Sequence, residues 1–323
     1  MMKAVNGDER FVGSKRPQVS HRVPYRSIKA FLVDQSTVRW GCQHFLLGRR
    51  YEIMAAQMQA SENTSRPALI DFQNIRVIRG EKIALHDFSL RIDSHEHVAI
   101  LGPNGCGKST LIKTITRECY PLAREDSSLR ILGNQQWNIF ELRLLLGIVS
   151  NDLLERCKSD ATGRDIVLSG FFSSTSIFRN HHVTSEQLLR ADAVLERLHV
   201  LHLADRPTAE MSSGEAQRIL IARALVHNPR ALVFDEPSNS LDVLMQHQLR
   251  ETMRDLARSG VGIVLVTHHT ADIIPEIERV VMMREGRVLA DGRKEQMLTP
   301  ERLGELFGHR IQITKQNGYC HVW

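Results

Sequence analysis

The chain has 323 residues and a formal net charge of +5, with 42% hydrophobic and 24% charged residues. That length builds one large domain or two smaller ones with a substantial buried core. No apolar run reaches about 18 residues, which excludes a membrane-spanning helix; the five cysteines are scattered without C-x-x-C spacing, which argues for a reducing compartment and against a disulfide framework or zinc site.

Residues 1–65 hold ten Lys/Arg against five Asp/Glu, so the remainder of the chain is electrically balanced. Bulk charge therefore gives no indication of nucleic-acid binding. Phe31-Leu32-Val33 and Phe45-Leu46-Leu47 are too short for a signal-peptide core or an anchor. Residues 1–65 are expected to be a basic, disordered extension. A membrane-surface or targeting arm is one alternative; a natural start at Met54 or Met58 is another.

From Pro67 the pattern tightens. Leu69-Ile70-Asp71-Phe72 and Ile75-Arg76-Val77-Ile78 read as two strands, and Arg79-Gly80 as a turn. Leu85 to Ile92 alternates as a half-buried strand does. Val98 to Leu101 is an apolar strand that runs into Gly102-Pro103-Asn104-Gly105-Cys106-Gly107-Lys108-Ser109-Thr110, a complete G-x-x-x-x-G-K-[ST] loop. Its glycines let the backbone curl so that N–H groups converge on a phosphate. A helix expected over Leu111 to Cys119 adds the positive end of its dipole. Lys108 can reach the β- and γ-phosphates, and the Ser109 hydroxyl can ligate Mg²⁺. Cys106 at the helix start is in a setting that lowers thiol pKa, so its alkylation would block nucleotide; alternatively it is a small filler residue.

Leu129 to Leu132 reads as a strand, Glu141 to Leu146 as helix and Ile148-Val149 as strand. Residues 151–210 read as a mainly helical insertion. Val183 to Leu203 carries apolar residues at helical spacing (Leu188, Leu189, Ala193, Val194, Leu195, Leu198), with Thr184 and Gln187 as a cap pair. Met211-Ser212-Ser213-Gly214-Glu215 opens a helix from Ala216 to about Val226, which is either a second phosphate-friendly helix start or a plain serine cap.

Ala231-Leu232-Val233-Phe234 has the apolar continuity of a central parallel strand and stops at Asp235-Glu236-Pro237. Carboxylates at that end of a strand sit where open α/β sheets bind ligands. Asp235 can hold Mg²⁺ and Glu236 can act as general base on the attacking water. A further apolar strand, Gly262 to Val266, ends at Thr267-His268-His269, and His268 can donate a hydrogen bond to a γ-phosphate. The fold class is α/β, with a mostly parallel core sheet, an antiparallel β subdomain and the helical insertion.

Taken together these residues resemble an ATP-binding cassette ATPase, a P-loop NTPase. Gly102 to Thr110 matches the first phosphate motif and Met211 to Glu215 the signature. Leu232 to Pro237 matches the second motif, Ser240-Leu241-Asp242 the D-loop and Thr267-His268 the switch histidine. The resemblance runs from about Ala68 to Phe307. It implies an ATPase domain over 66–307, with a helical subdomain near 151–212 and a C-terminal tail over 308–323. It also implies a head-to-tail homodimer, or a pairing with another cassette subunit. Each ATP would then lie between Lys108 of one chain and the Ser212, Ser213, Gly214 turn of the other. Three departures stand out: Ser213 and Glu215 in the signature, Asn151 where a glutamine is usual, and Arg79 in place of an adenine-stacking aromatic. Asn151 keeps the same amide, one methylene shorter toward the metal, and is counted among the ATP-binding residues; Arg79 implies modest selectivity for ATP over GTP. Residues 129–157 and 165–217 are also similar to molybdate-related ModF-type cassettes. Phe171-Phe172 lie where relatives receive a membrane partner's coupling helix, or else are core.

The resemblance implies the ATP-hydrolysing subunit of an ABC transporter, Mg²⁺-dependent, on the cytoplasmic inner face of the membrane. Integral membrane permease subunits would be separately encoded, and no nucleic-acid partner is indicated. The alternative is a cassette ATPase without a membrane partner, in a regulatory, translational or nucleic-acid-related role.

Overall fold

The computed structural model describes residues 68–239 and 241–323, all within one compact unit, Ser61–Trp323. The extension expected over residues 1–65, and Ser240 of the Ser240-Leu241-Asp242 motif, lie outside the described residues. Two sheets dominate. A three-stranded antiparallel sheet has the order β2-β1-β4, from β1 (Ile70–Arg79), β2 (Lys82–Ile92) and β4 (Ser128–Ile131). A six-stranded sheet has the order β5-β6-β7-β3-β8-β9. Its strands are β3 (His97–Leu101), β5 (Leu146–Ser150), β6 (Ala231–Asp235), β7 (Gly262–Thr267), β8 (Arg279–Arg284) and β9 (Arg287–Arg293). Every neighbouring pair in it is parallel except β8 and the edge strand β9.

Side-chain alternation sends the central strands into two separate cores. Ala99, Leu101, Leu232, Phe234, Ile263 and Leu265 face the helical side. Val98, Ile100, Val233, Val264 and Val266 face the antiparallel sheet. A strand buried on both faces must be apolar throughout, which is why these segments read as unbroken hydrophobic runs. Each fully buried Leu, Ile or Phe contributes about 1.5–3 kcal/mol, so the sheet is a rigid base for whatever its strand ends carry.

The helices are α1 (Lys108–Ile115), α2 (Ile139–Leu145), α3 (Asn151–Cys157), α4 (Gly163–Ser169), α5 (Ser185–Arg197), α6 (Ser213–Leu225), α7 (Val243–Arg258), α8 (Lys294–Met297) and α9 (Pro300–Phe307). Between β5 and β6 lie α3 to α6, of which α3, α4 and α5 fall in the stretch read as helical, 151–210, and α6 is the helix read after Met211 to Glu215. Thr162 with Asp165 caps α4, and Thr184 with Gln187 caps α5, each as a reciprocal capping box. Such caps satisfy backbone donors that would otherwise be orphaned at a helix start.

Several expectations change in detail. The two strands read over residues 69–78 are one strand, β1, whose pairing with β2 shifts register at three places and which turns through Asn74 at φ 48°. The helix after the phosphate loop begins at Lys108 and ends at Ile115 rather than Cys119; Arg117 takes φ 61°, and the N–H groups of Glu118 and Cys119 fold back onto the Lys113 carbonyl. Leu188 and Leu189 lie on α5 but are exposed, Leu189 by 73%, while Ala191 and Leu195 are its buried contacts. The expected C-terminal tail forms an antiparallel hairpin, β10 (Ile313–Gln316) with β11 (Tyr319–Val322), and Cys320 enters the main core.

Candidate active site

The register of the large sheet assembles the site. Ser150 of β5 pairs with Asp235 of β6, Asp235 pairs with Val266 of β7, and Leu101 of β3 pairs with Thr267. Four neighbouring parallel strands thus end side by side, and the loops leaving them converge at the carboxyl edge, where α/β sheets bind ligands.

The loop after β3 has little spare room. A Cβ on Gly102 would fall 2.3 Å from the Met283 carbonyl oxygen. Gly107 takes φ +109°, and a Cβ there would lie 2.7 Å from the Ala84 oxygen. Gly107 is also the N-cap of α1, with no side chain capping it and no acidic residue in the first turn. The first-turn N–H groups are therefore available to an anion. Lys108, only 5% exposed, donates from Nζ to the carbonyls of Gly102 (2.8 Å) and Pro103 (3.0 Å). Its ammonium lies 3.2 Å from Glu236 Oε1. Asn104, Gly105 and Ser109 are exposed, and Thr110 is half-buried.

Of the two readings of Cys106, the structure favours the small filler residue over the activated thiol. The thiol is buried under the loop, and desolvation raises its pKa above the ordinary value despite Lys108 nearby. Burial outweighs the helix-start effect because the thiolate would lose its water.

Glu236 is the most constrained residue of the site. Its φ is 48°, a left-handed conformation that a non-glycine residue keeps only where its surroundings over-determine it, at a cost of roughly 1–3 kcal/mol. Its N–H donates to Val266 O at 2.8 Å, and its carbonyl accepts from Asn151 Nδ2 at 3.0 Å. His268 Nδ1 contacts Oε2 at 2.6 Å. The other oxygen, Oε1, is buried and receives no well-directed hydrogen bond, although the Lys108 ammonium is close. Asp235 beside it has a carboxyl pushed up to about 6, first by burial and then by the Glu236 charge, with Lys108 opposing.

The structure brings Lys108, Glu236, His268 and Asn151 into direct contact, with Asp235 next to them in sequence and charge. Ser212 and Ser213 are exposed at the start of α6 and make no hydrogen bond to the phosphate loop, Asp235, Glu236 or His268. Ser212 and Glu215 instead form a capping box, which extends α6 back to Ser213, three residues before its expected start; Gly214 is buried with its Cα facing Met245 of α7. Arg79 is exposed and donates to Cys119 Sγ at 3.2 Å. Gln217, Ser238, Thr267 and Asp272 are buried polar residues around the site. Thr267 falls in the Thr267-His268 motif; no motif signals Gln217, Ser238 or Asp272, because each is a single polar side chain whose burial depends on distant segments. No helix among the described residues is long and apolar enough to cross a membrane.

The model of the ABC transporter family matches residues 85–239. An uncharacterized ABC transporter ATP-binding protein, YmeB of Lactococcus lactis subsp. lactis, is 28% identical over 249 residues, which cover 76% of this chain and 94% of that protein. The hemin import ATP-binding protein HmuV of Aliivibrio fischeri is 29% identical over 250 residues, covering 76% of this chain and 92% of the relative. Among solved structures, cbiO1 from Clostridium perfringens, part of the ABC transporter complex cbiONQ, matches with a TM-score of 0.63 at 26% identity, over 74% of this chain and 94% of that chain.

Proposed function

The chain belongs to the ABC transporter ATP-binding protein family, and from that premise we propose how its residues divide the work of hydrolysis and what they serve. It is an ATPase, the ATP-binding subunit of a transporter. The observation that carries the division of roles is the contact of Lys108 and His268 with the two carboxylate oxygens of Glu236, whose backbone is held at positive φ.

The loop amides from Gly102 to Gly107 and the open first turn of α1 cradle the β- and γ-phosphates, with Asn104, Gly105, Cys106, Ser109 and Thr110 supplying backbone donors. Lys108 exchanges its carbonyl partners for phosphate oxygens. Glu236 takes a proton from the attacking water at Oε1, the oxygen without a directed donor. His268 orients Glu236 and reaches toward the γ-phosphate. A general base in this role accounts for roughly 10²–10⁴-fold in rate. The donor set suits Mg²⁺: an exposed hydroxyl on Ser109, and on Asp235 a buried carboxyl whose raised pKa marks a shortage of positive charge. These two residues would hold the ion, which would supply positive charge against the phosphates.

The exposed Ser212 and Ser213 and the buried Gly214 meet the ATP of a second cassette, so that ATP closes a dimer and hydrolysis opens it. The partners that closure drives are integral membrane permease subunits, which places the chain on the cytoplasmic face. The cleft lined by Arg143, Ser150, Asp152, Ser174 and Arg223 among others is where we place the docking of such a partner. Phe171 and Phe172, half-buried nearby, face His227 and His181. Two measurements test the reading. Glu236→Gln should bind ATP and elute as a dimer with very slow turnover, and the tagged protein should co-purify with an integral membrane protein in high salt. A monomer at saturating ATP, or a pool free of membrane partners, would overturn the corresponding part.

A further inference from the structure

We propose that Asp272 is a positioning residue for ATP hydrolysis. Its buried carboxylate clamps the loop that follows Glu236 to the loop that carries His268. The inference rests on the roles given above to Glu236 and His268.

Asp272 is 2% exposed and lies in the short turn after β7. Its Oδ2 accepts from two hydroxyls, Ser238 Oγ and Thr267 Oγ1, the latter at 3.2 Å. Both donors are themselves buried. Ser238 is two residues past Glu236, and Thr267 immediately precedes His268. Thr267 Oγ1 in turn accepts from the His269 N–H at 3.0 Å. One carboxylate oxygen therefore joins the two loops on one side, and the Glu236–His268 contact joins them on the other. Arg250 Nη1 stands 3.7 Å from Oδ1, and the same guanidinium lies over the Tyr319 ring of the C-terminal hairpin, 5.9 Å from its centroid.

A carboxylate taken this far out of water is costly unless well-directed donors compensate it. Hydrogen bonds to an ionised acceptor are roughly twice as strong as neutral ones, so the clamp is firm. Its geometry bears on catalysis because Glu236 is held in a left-handed conformation that relaxes once its surroundings loosen. A shift of about 1 Å between base and histidine is enough to cost on the order of 10²-fold in rate. The phosphate loop takes no part in the clamp, so nucleotide binding should be untouched.

The test is steady-state ATPase kinetics with thermal melting on the full chain. Asp272→Ala should lower kcat at least tenfold and leave KM for ATP within twofold. Asp272→Asn keeps one carbonyl oxygen able to accept both hydroxyls and should recover most of the rate. Ser238→Ala with Thr267→Val should reproduce the Asp272→Ala defect while leaving the carboxylate in place, and it substitutes for that variant if Asp272→Ala fails to fold. In a His268→Ala background, Asp272→Ala should cost little more, because both act on the same pair. The inference is overturned by a kcat within twofold of wild type, by an equal rise in KM, or by a full additional loss in the His268→Ala background. Glu236→Gln run alongside separates the two readings: if it too keeps normal kcat, the assignment of the general base fails first.

Discussion

Asp235 should be a burden on the protein when no cation is bound. Its carboxyl is pushed from 3.8 up to about 6 by burial and by the neighbouring Glu236. At 1.36 kcal/mol per pKa unit, holding it ionised in the fold costs about 3 kcal/mol. The sign follows from proton uptake. Between about pH 4 and pH 6 the folded state binds the proton and the unfolded chain does not, so stability falls as pH rises through that window. The penalty is complete above pH 6 and absent below 3.8. Asp235→Asn, nearly isosteric and neutral, should therefore stabilise the nucleotide-free protein in chelating buffer. About 3 kcal/mol is the ceiling, since the amide must also be desolvated. For a domain of this size each kcal/mol moves Tm by roughly 2–4 °C. The measurement is thermal melting of wild type and variant at pH 7.5 and pH 5; linkage predicts the gain to shrink to roughly half at the lower pH. Adding Mg²⁺ with a non-hydrolysable nucleotide should then stabilise wild type far more than the variant. A variant less stable than wild type at pH 7.5, or a gain equal at both pH values, would refute the reasoning.

Other perturbations follow from the same geometry. Gly107→Ala places a Cβ 2.7 Å from a backbone oxygen at φ +109°; it should destabilise by at least about 1–2 kcal/mol and abolish nucleotide binding, read by denaturant melts and by fluorescent-nucleotide titration. Cys106, with its thiol buried and its pKa raised, should react with maleimide at pH 7.5 more slowly than the half-buried Cys119, as peptide mass spectrometry would show. Arg79 has no aromatic ring to offer the base, and its guanidinium is already bonded to Cys119; competition binding should show only modest selectivity for ATP over GTP, and a large adenine preference would contradict that.

The parts of this protein legible from sequence are those fixed by neighbours along the chain. The phosphate loop is one uninterrupted segment whose glycines have local reasons: Gly107 needs positive φ, and Gly102 packs against backbone. The central strands announce themselves because a double-sided core demands apolar residues at every position. Thr184 caps α5 through its own N3 residue. The errors come from non-local effects. The thiol of Cys106 is governed by what lies over it rather than by the helix it precedes. The end of α1 at Ile115 reflects a chain reversal through Arg117. The C-terminal hairpin does carry a local signal, its Asn317-Gly318 turn with both residues at positive φ; that it joins the core shows only in the packing of Cys320 and Tyr319.

Asn151 shows how the two kinds of information meet. From sequence it is a shortened glutamine that keeps the amide one methylene closer to the backbone. In the fold its side-chain amide donates to the Glu236 carbonyl at 3.0 Å. That carbonyl belongs to the residue whose backbone is held in the left-handed region, so the bond helps to maintain the strained conformation. Asn151 also begins α3, the first helix of the helical block, and follows Ser150, the cap of that helix. One hydrogen bond thus ties the start of α3 to the backbone of the proposed general base, and Asn151→Ala should loosen that conformation and lower kcat more than it weakens ATP binding, as steady-state kinetics would show.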